Sequence, residues 1–423
     1  MEPVKASIIT IGDELLIGQV VDTNSAWMAQ ELNKIGVTVS RRVAVGDEWT
    51  AIWQALNEEL AVSHVVLITG GLGPTADDIT KPLLCEYFGG KLVVDEKVLA
   101  HVHYLFEEVY RRPMIDRNAK QAEVPDVATV LHNAYGTAPG LLFEKNNKLV
   151  IAMPGVPFEM KGIMTDEVIP LLQKRSKLPV ILHRTLITAG IGESFLAERI
   201  SEFETALPSY IKLAYLPHYG MVRLRLSATG FDTESMTHEI EARFEELQRL
   251  LPDVMVTNRD EPIEQVIGRL LLERGQSIST AESCTGGYIA HLITRHPGSS
   301  KYYKGSIVSY DNQVKEDLLG VTPGTLAEKG AVSEETVRQM ALGALSSLKT
   351  DFALAVSGIM GPDGGSDEKP VGTVWMAVAN KDEVITQKLR LRTERSRNIE
   401  LTATNGLNLL RKFILERVPE PKN

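Results

Sequence analysis

The sequence predicts an α/β protein in three parts. These are an N-terminal doubly wound domain over residues 1–172, a small α+β module over 173–257 and a C-terminal α/β domain over 258–423. Three observations predict it. Short, continuous apolar runs alternate with capped amphipathic helices through the first part. The pattern changes near residue 173 to an α+β arrangement of about 85 residues. The strand–turn–helix rhythm then resumes at residue 277.

The first run, ASIITI at 6–11, is apolar on every residue, as a parallel strand covered on both faces requires, and it ends in Gly12-Asp13-Glu14. Asp22-Thr23-Asn24 then caps a helix carrying Trp27, Met28, Leu32 and Ile35, closed by Gly36. A second strand, 37–45, runs into Gly46-Asp47. A third, HVVLIT at 64–69, empties into Gly70-Gly71-Leu72-Gly73-Pro74-Thr75 and Asp77-Asp78. In a doubly wound sheet, ligands belong at the carboxyl ends of the strands. All three ends carry glycine followed by acid, which makes Asp13, Glu14, Asp47, Asp77 and Asp78 candidate ligands for a hard divalent cation. Gly70, Gly71, Gly73 and Thr75 are candidates for cradling phosphate. The competing reading is that Asp22, Asp47 and Asp77 cap helices.

Residues 90–150 carry a helical pattern followed by polar turns through Asn133–Gly140, and 149–153 is another strand, stopped by Pro154-Gly155. Strands at 183–189 and 221–228 and helices near 193–205 and 232–251 make the middle module. Its Gly190-Ile191-Gly192-Glu193 loop has no basic surroundings. In the last part, a helix at 263–273 precedes the strand at 277 and Ser333 caps another helix. FALAVS at 352–357 empties into the glycine-rich loop 358–365, strands follow at 371–378 and 383–391, and a helix from about 396 closes the chain.

The C-terminal part is organised around Ser277 to Lys315. The chain turns sharply after the strand at Thr280–Ser283 and passes Gly286-Gly287 into a helix. A second strand, 306–310, delivers Tyr310 and Lys315. Ser283 is the candidate nucleophile and Lys315 its base. Thr285, Gly286 and Gly287 form a candidate anion site at the helix N-terminus. A lysine must be depressed from its reference value, about 10.4, to accept a proton. A nucleotide-binding turn without a covalent step is the alternative.

Composition limits the function classes. A net charge of −10 provides no basic field for nucleic acid, so direct nucleic-acid binding is not expected. The two cysteines, Cys85 and Cys284, suggest neither a disulfide framework nor a thiolate metal site, which suits a reducing cytoplasm. No apolar stretch reaches membrane-spanning length, and a homodimer is the default assembly.

Longer motifs carry a resemblance. IGDELLIGQVVDTN (11–24) with TGGLGPTADDIT (69–80) resembles the molybdopterin-binding-like domain of the CinA, or competence/damage-inducible protein A, family. GIGESFLAERI (190–200) and KLAYLPHYGMVRLRLSA (212–228) are similar to its KH-type module. TAESCTGG (280–287), PGSS (297–300), SYDNQVK (309–315), GAVSEETV (330–337) and SGIMGPDGGSDEKPVGTVW (357–375) resemble its C-terminal deamidase domain. The match runs through nearly the whole chain in family order.

The resemblance implies two activities. The C-terminal domain would hydrolyse nicotinamide mononucleotide to nicotinate mononucleotide and ammonia, for pyridine-nucleotide salvage. Ser283 would attack, Lys315 would accept the proton, and Tyr310 would orient the amine or donate to the leaving group. Thr285, Ser300 and the loop containing Gly358 and Gly361 would hold phosphate, ribose or amide. Arg395, in a Thr393-Glu394-Arg395 turn, would pair with phosphate. The family's second arginine four residues on is Ile399 here, leaving Arg397 as its candidate substitute. The N-terminal domain would be a pyrophosphatase dependent on Mg²⁺, Mn²⁺ or Co²⁺, splitting ADP-ribose into AMP and ribose 5-phosphate. A related phosphorylated-pterin site, a non-catalytic N-terminal module, and a competence or recombination accessory that docks a partner are the other implied readings.

Overall fold

A computed structural model describes residues 4–75 and 77–417. The chain forms two compact units, Met1–Leu182 with Ala228–Thr237, and His183–Ser227 with His238–Asn423. The middle module therefore falls largely within the second unit. Its Ile187, Ala189 and Val256 belong to the same buried core as Ile263, Leu271 and Leu407 of the C-terminal part. Among the described residues no helix is long and apolar enough to cross a membrane.

The first unit is built on β1 (Lys5–Ile11), β2 (Thr38–Val45), β3 (Val65–Thr69), β4 (Leu92–Val94), β5 (Glu123–Pro125), β6 (Thr129–Leu131), β7 (Gly140–Lys145) and β8 (Lys148–Met153). Six of them form one sheet in the order β2-β1-β3-β8-β7-β6, and β4 pairs with β5. Strands β2, β1, β3 and β8 run parallel. The apolar runs are continuous because successive side chains point to opposite, equally covered faces. Ile8, Leu67 and Ile151 pack on Met28, Leu32 and Met160. Their neighbours Ile9, Ile68 and Val150 pack on Ile52, Leu56 and Leu84 on the other face. The sequence reading does not anticipate β7, whose first four residues are buried and which pairs antiparallel with β8. Its apolar core, LLF, is short and follows Pro139-Gly140, so it reads as part of a turn.

The middle module contributes β9 (Val180–Ala189), β10 (Ile211–His218), β11 (Met221–Gly230) and β12 (Met255–Thr257), ordered β10-β11-β9-β12. The C-terminal sheet has β13 (Ile278–Glu282), β14 (Tyr303–Val308), β15 (Phe352–Gly358), β16 (Thr373–Ala379) and β17 (Val384–Arg390), ordered β14-β13-β15-β16-β17. Strand β13 is parallel to both neighbours, and β16 and β17 are antiparallel additions. Its two faces differ in size. Leu354, Val356, Met376 and Val378 meet the terminal helix through Leu407, Leu410 and Phe413. Ala353, Ala355, Ala377 and Ala379 face the helix Glu334–Leu348, where small side chains let the helix approach closely.

Both principal sheets reverse their winding beside the first strand of their domain, at β1/β3 and at β13/β15. Such a topological switch point opens a crevice beyond the strand ends. Both candidate sites lie there.

Candidate active sites

Beyond β13, β14 and β15 lies a cavity of about 280 Å³ lined by Ser283, Cys284, Tyr310, Asn312, Lys315, Ser357, the Gly358–Gly361 turn, Asp363 and Arg395. The turn that carries Ser283 is held from within by Glu282, which is fully buried. Its carboxylate accepts from the Thr285 hydroxyl (2.7 Å) and from the N–H groups of Gly287 (3.1 Å), Ile289 (3.0 Å) and Ala290 (2.8 Å). A carboxylate in this position satisfies the orphan donors of the helix Tyr288–Thr294 and its macrodipole.

This corrects the anion site read from Thr285, Gly286 and Gly287. The helix terminus is already filled by the chain's own anion, and these three residues do not line the cavity. Ser300 lies exposed in the 3₁₀ turn Ser299–Lys301 and does not line it either. The sequence reading misses Glu282 because an acid before a helix resembles an ordinary cap; only its depth and four short bonds identify it.

Ser283 is 8% exposed, and its hydroxyl makes no hydrogen bond among the described residues. Its own N–H is tied to the Val356 carbonyl (3.1 Å), which fixes the turn against β15, whereas among the described residues neither Cys284 nor Thr285 gives its N–H to a backbone carbonyl. Of these two donors only that of Cys284 belongs to a residue lining the cavity, where an oxyanion formed beside the Ser283 hydroxyl needs one.

Lys315 is 1% exposed. Its Nζ donates to the carbonyls of Ser309 (2.7 Å), Tyr310 (3.1 Å) and Asp311 (3.4 Å). Burial drives its pKa down from the ordinary 10.5, against the pull of the Asp311 carboxylate. The neutral amine keeps two donors and gains a lone pair. The two short bonds can therefore persist, and the 3.4 Å contact is the one released.

Cys284 lines the same cavity, but burial pushes its thiol up to about 12, so it carries no useful thiolate. Tyr310 is 64% exposed, and its hydroxyl accepts from Arg395 (3.1 Å). Arg395 also donates to the Gly361 carbonyl (2.9 Å). Tyr310 thus positions the arginine in this structure. The first turn of the helix Arg395–Arg417 is bolted to the glycine loop by Asn398, which donates to the Met360 carbonyl (3.0 Å). Gly361 sits at a φ of 85°, and a Cβ there would stand 2.6 Å from Val371 Cγ1, so the loop needs glycine. Arg397 lines a separate groove with Gly190, Gly192, His218 and Tyr219, so it does not supply a second arginine to this cavity.

In the first unit, a cavity of about 380 Å³ is lined by Glu14, Asp47, Asp77, Asp78, Gly70 to Pro74, Gln121, Ala138 and Glu159, among others. Gly70 has a φ of 115°, and a Cβ there would strike the Ile11 carbonyl. The five acids divide by role. Asp13 and Asp47 exchange bonds, each carboxylate accepting the other's backbone N–H (3.2 and 3.1 Å). Asp78 accepts from the N–H groups of Gly73 and Thr75 (2.8 Å each) and from the Thr75 hydroxyl, so Asp78 and Thr75 shape the glycine loop. Neither Asp47 nor Asp77 caps a helix, since the following helices start from Glu48 and Ile79. Burial, with Asp13, Glu14 and Asp77 nearby, raises the Asp47 pKa.

Among the described residues no three His, Cys, Asp or Glu side chains are gathered closely enough for a metal cluster. Glu14, Asp47 and Asp77, the acids lining the cavity that do not shape its glycine loop, still fit a hard cation that completes its shell with water and phosphate oxygens. Beside them Glu159 is raised by burial and accepts from Asn133 (2.7 Å).

Comparison with known proteins gives three successive family matches: a probable molybdopterin binding domain over residues 7–174, the damage-inducible protein CinA KH domain over 183–255, and the CinA C-terminal domain over 260–414. A CinA-like protein of Cytophaga hutchinsonii is 46% identical over 411 residues, 97% of this chain and 98% of that protein. One of Chloroherpeton thalassium is 42% identical over 417 residues, 97% of this chain and 99% of the other. Among solved structures, the competence/damage inducible protein CihA from Agrobacterium tumefaciens is 41% identical, covering 35% of this chain and 91% of that one, with a TM-score of 0.35.

Proposed function

The chain belongs to the CinA family, and on that premise we propose that its C-terminal domain is a serine–lysine amidase acting on nicotinamide mononucleotide. The observation that carries the proposal is the unbonded Ser283 hydroxyl sharing one cavity with a buried, depressed lysine. The cavity lies at the small end of ligand sites, which suits a mononucleotide.

Ser283 Oγ attacks the carboxamide carbon while the Lys315 amine takes its proton. The oxyanion is received by the N–H group of Cys284, which lines the cavity beside Ser283. Collapse breaks the C–N bond, and the Lys315 ammonium returns the proton to departing ammonia, leaving an ester on Ser283. Water attacks that ester with Lys315 again as base, releasing nicotinate mononucleotide and regenerating the serine. Arg395, steadied by Tyr310, pairs with the phosphate. The Asn312 carboxamide, which lines the cavity, is suited to reading the substrate amide.

The assay is release of ammonia and nicotinate mononucleotide by the full chain; binding without release would sink the amidase reading. Arg395→Met is expected to raise KM about 10- to 100-fold with a much smaller change in kcat, because the phosphate is bound equally in ground and transition states. An equal loss in kcat would move the arginine to the reacting centre.

For the N-terminal domain, we infer hydrolysis of ADP-ribose to AMP and ribose 5-phosphate. Support comes from an oxygen-only acid set facing a glycine loop at a switch point. Glu14, Asp47 and Asp77 would hold the divalent cation. When bound, it would polarise the diphosphate and lower the pKa of a coordinated water. The backbone of Gly70, Gly71 and Gly73 receives the diphosphate, with Asp78 fixing the loop's shape. Asp77→Ala should lower the rate at least about 10-fold and raise the Mg²⁺ or Mn²⁺ concentration needed for half-maximal turnover. An unchanged metal dependence would remove Asp77 from the cation site.

A further inference from the structure

One group in the N-terminal cavity is explained by neither the acids nor the glycine loop. Gln121 is 2% exposed and lines the cavity, yet its side-chain Oε1 is buried and receives no hydrogen bond. A buried carboxamide oxygen without a donor is costly unless a ligand supplies one.

Its backbone is held deliberately. The carbonyls of Lys120 and Gln121 accept from Lys81 Nζ (3.4 and 3.3 Å), and Lys81 is itself buried, its ammonium pushed down to about 8. A buried lysine is an expensive anchor for one short turn, and that turn delivers Gln121 to the cavity.

The surroundings indicate which donor belongs there. The sheet order β2-β1-β3-β8-β7 lays the cavity walls out in sequence. Asp47 and Glu14 follow β2 and β1, the glycine loop follows β3, and Thr137 and Ala138 precede β7. Gln121 comes just before β5, whose Val124 packs in one cluster with Leu72 and Ala138. The end of the cavity away from the first acids thus sets this orphan acceptor among Leu72, Thr137 and Ala138, with the Glu159 carboxyl beside Gly136. Carboxamide and carboxyl oxygens beside an apolar patch suit the N–H edge of a flat heterocycle.

We propose that Gln121 recognises the nucleobase of a nucleoside-diphosphate substrate, its Oε1 accepting a hydrogen bond from the exocyclic amine of adenine. The proposal rests on the nucleotide reading of this cavity and adds base specificity to it.

The test is calorimetric binding of ADP-ribose and of its inosine analogue, in which a carbonyl oxygen replaces the amine, to the full chain with and without Mg²⁺. Wild type is expected to favour ADP-ribose about 10-fold, the effect of one buried hydrogen bond. Gln121→Leu should weaken ADP-ribose about 10-fold and erase the preference. The variant's melting temperature should hold or rise, because no intramolecular partner of Oε1 is lost; a fall would give Gln121 a structural role.

Equal wild-type affinity for the two nucleotides overturns the proposal without any variant. An equal loss of both ligands in Gln121→Leu reassigns Oε1 to a sugar hydroxyl, and a loss confined to the Mg²⁺-loaded protein reassigns it to metal-bound water. Hydrolysis is followed separately. Preferential binding without turnover sinks the pyrophosphatase reading and leaves Gln121 standing, turnover without preference does the reverse, and no binding of either nucleotide removes both.

Discussion

Ser283→Ala is expected to reduce ammonia release from nicotinamide mononucleotide by at least about 10³-fold, while nucleotide affinity and melting temperature stay close to wild type. The separation follows from the structure. The hydroxyl has no partner among the described residues, so its removal strands no donor or acceptor, and the turn is held by Glu282 and by the Ser283 N–H. A substitution with no such loss belongs to the class that moves stability by about 0.5 kcal/mol or less. Parallel ammonia and binding measurements decide the matter. Turnover surviving in the alanine variant would remove Ser283 as nucleophile, and Cys284, held as a neutral thiol at about 12, offers no ready replacement.

The pH dependence belongs to the same result. Lys315 must be neutral to act, and burial lowers its pKa from 10.5, so the rate should climb with pH and level off below the range of a free lysine. Stability carries the same sign. Between the lowered folded pKa and about 10.4 the unfolded chain binds more protons than the folded one, so stability rises with pH across that window. A rate that falls through this range would mean the ammonium is the working form.

Much of this was legible in the residues. Continuous apolar runs such as 6–11 and 64–69 identify strands covered on both faces, and glycine after each run marks where the sheet opens. Ser283 and Lys315 are legible because both sit within a few residues of a strand end. Depth is what the sequence hides. Asp78 reads as a metal ligand, and only its three bonds to Gly73 and Thr75 show it shaping a loop. Arg397 is two residues from Arg395, but two residues turn a helix by more than half a circle, so it faces another groove. Gln121 lies in no local pattern at all. Its place depends on Lys81, 40 positions earlier in the chain, and on a strand order that periodicity does not specify.

The acid directly before Ser283 should be the most sensitive position in the C-terminal domain for stability and activity together. Glu282 supplies one acceptor group to three backbone donors and a hydroxyl, all within 3.1 Å and out of water. Glu282→Gln keeps the shape and one oxygen but turns the other into a donor facing donors. Bonds to an ionised group contribute about 1.5–3 kcal/mol each, and a stranded buried donor costs about 1–3. A net loss of about 3 kcal/mol is therefore expected, read as a melting point lower by roughly 6–12 °C in a unit of this size. Activity should fall further than stability alone dictates. The Cys284 N–H group and the Ser283 hydroxyl both lie on the turn this carboxylate holds, and misplacement by about 1 Å can cost about 10²-fold. Assayed well below its melting point, Glu282→Gln should show a lower kcat with KM little changed, since Arg395 and the 358–365 loop do not depend on that turn. A variant that melts early yet turns over normally when folded would make Glu282 a purely structural residue, and the oxyanion donors would have to be sought elsewhere along the cavity.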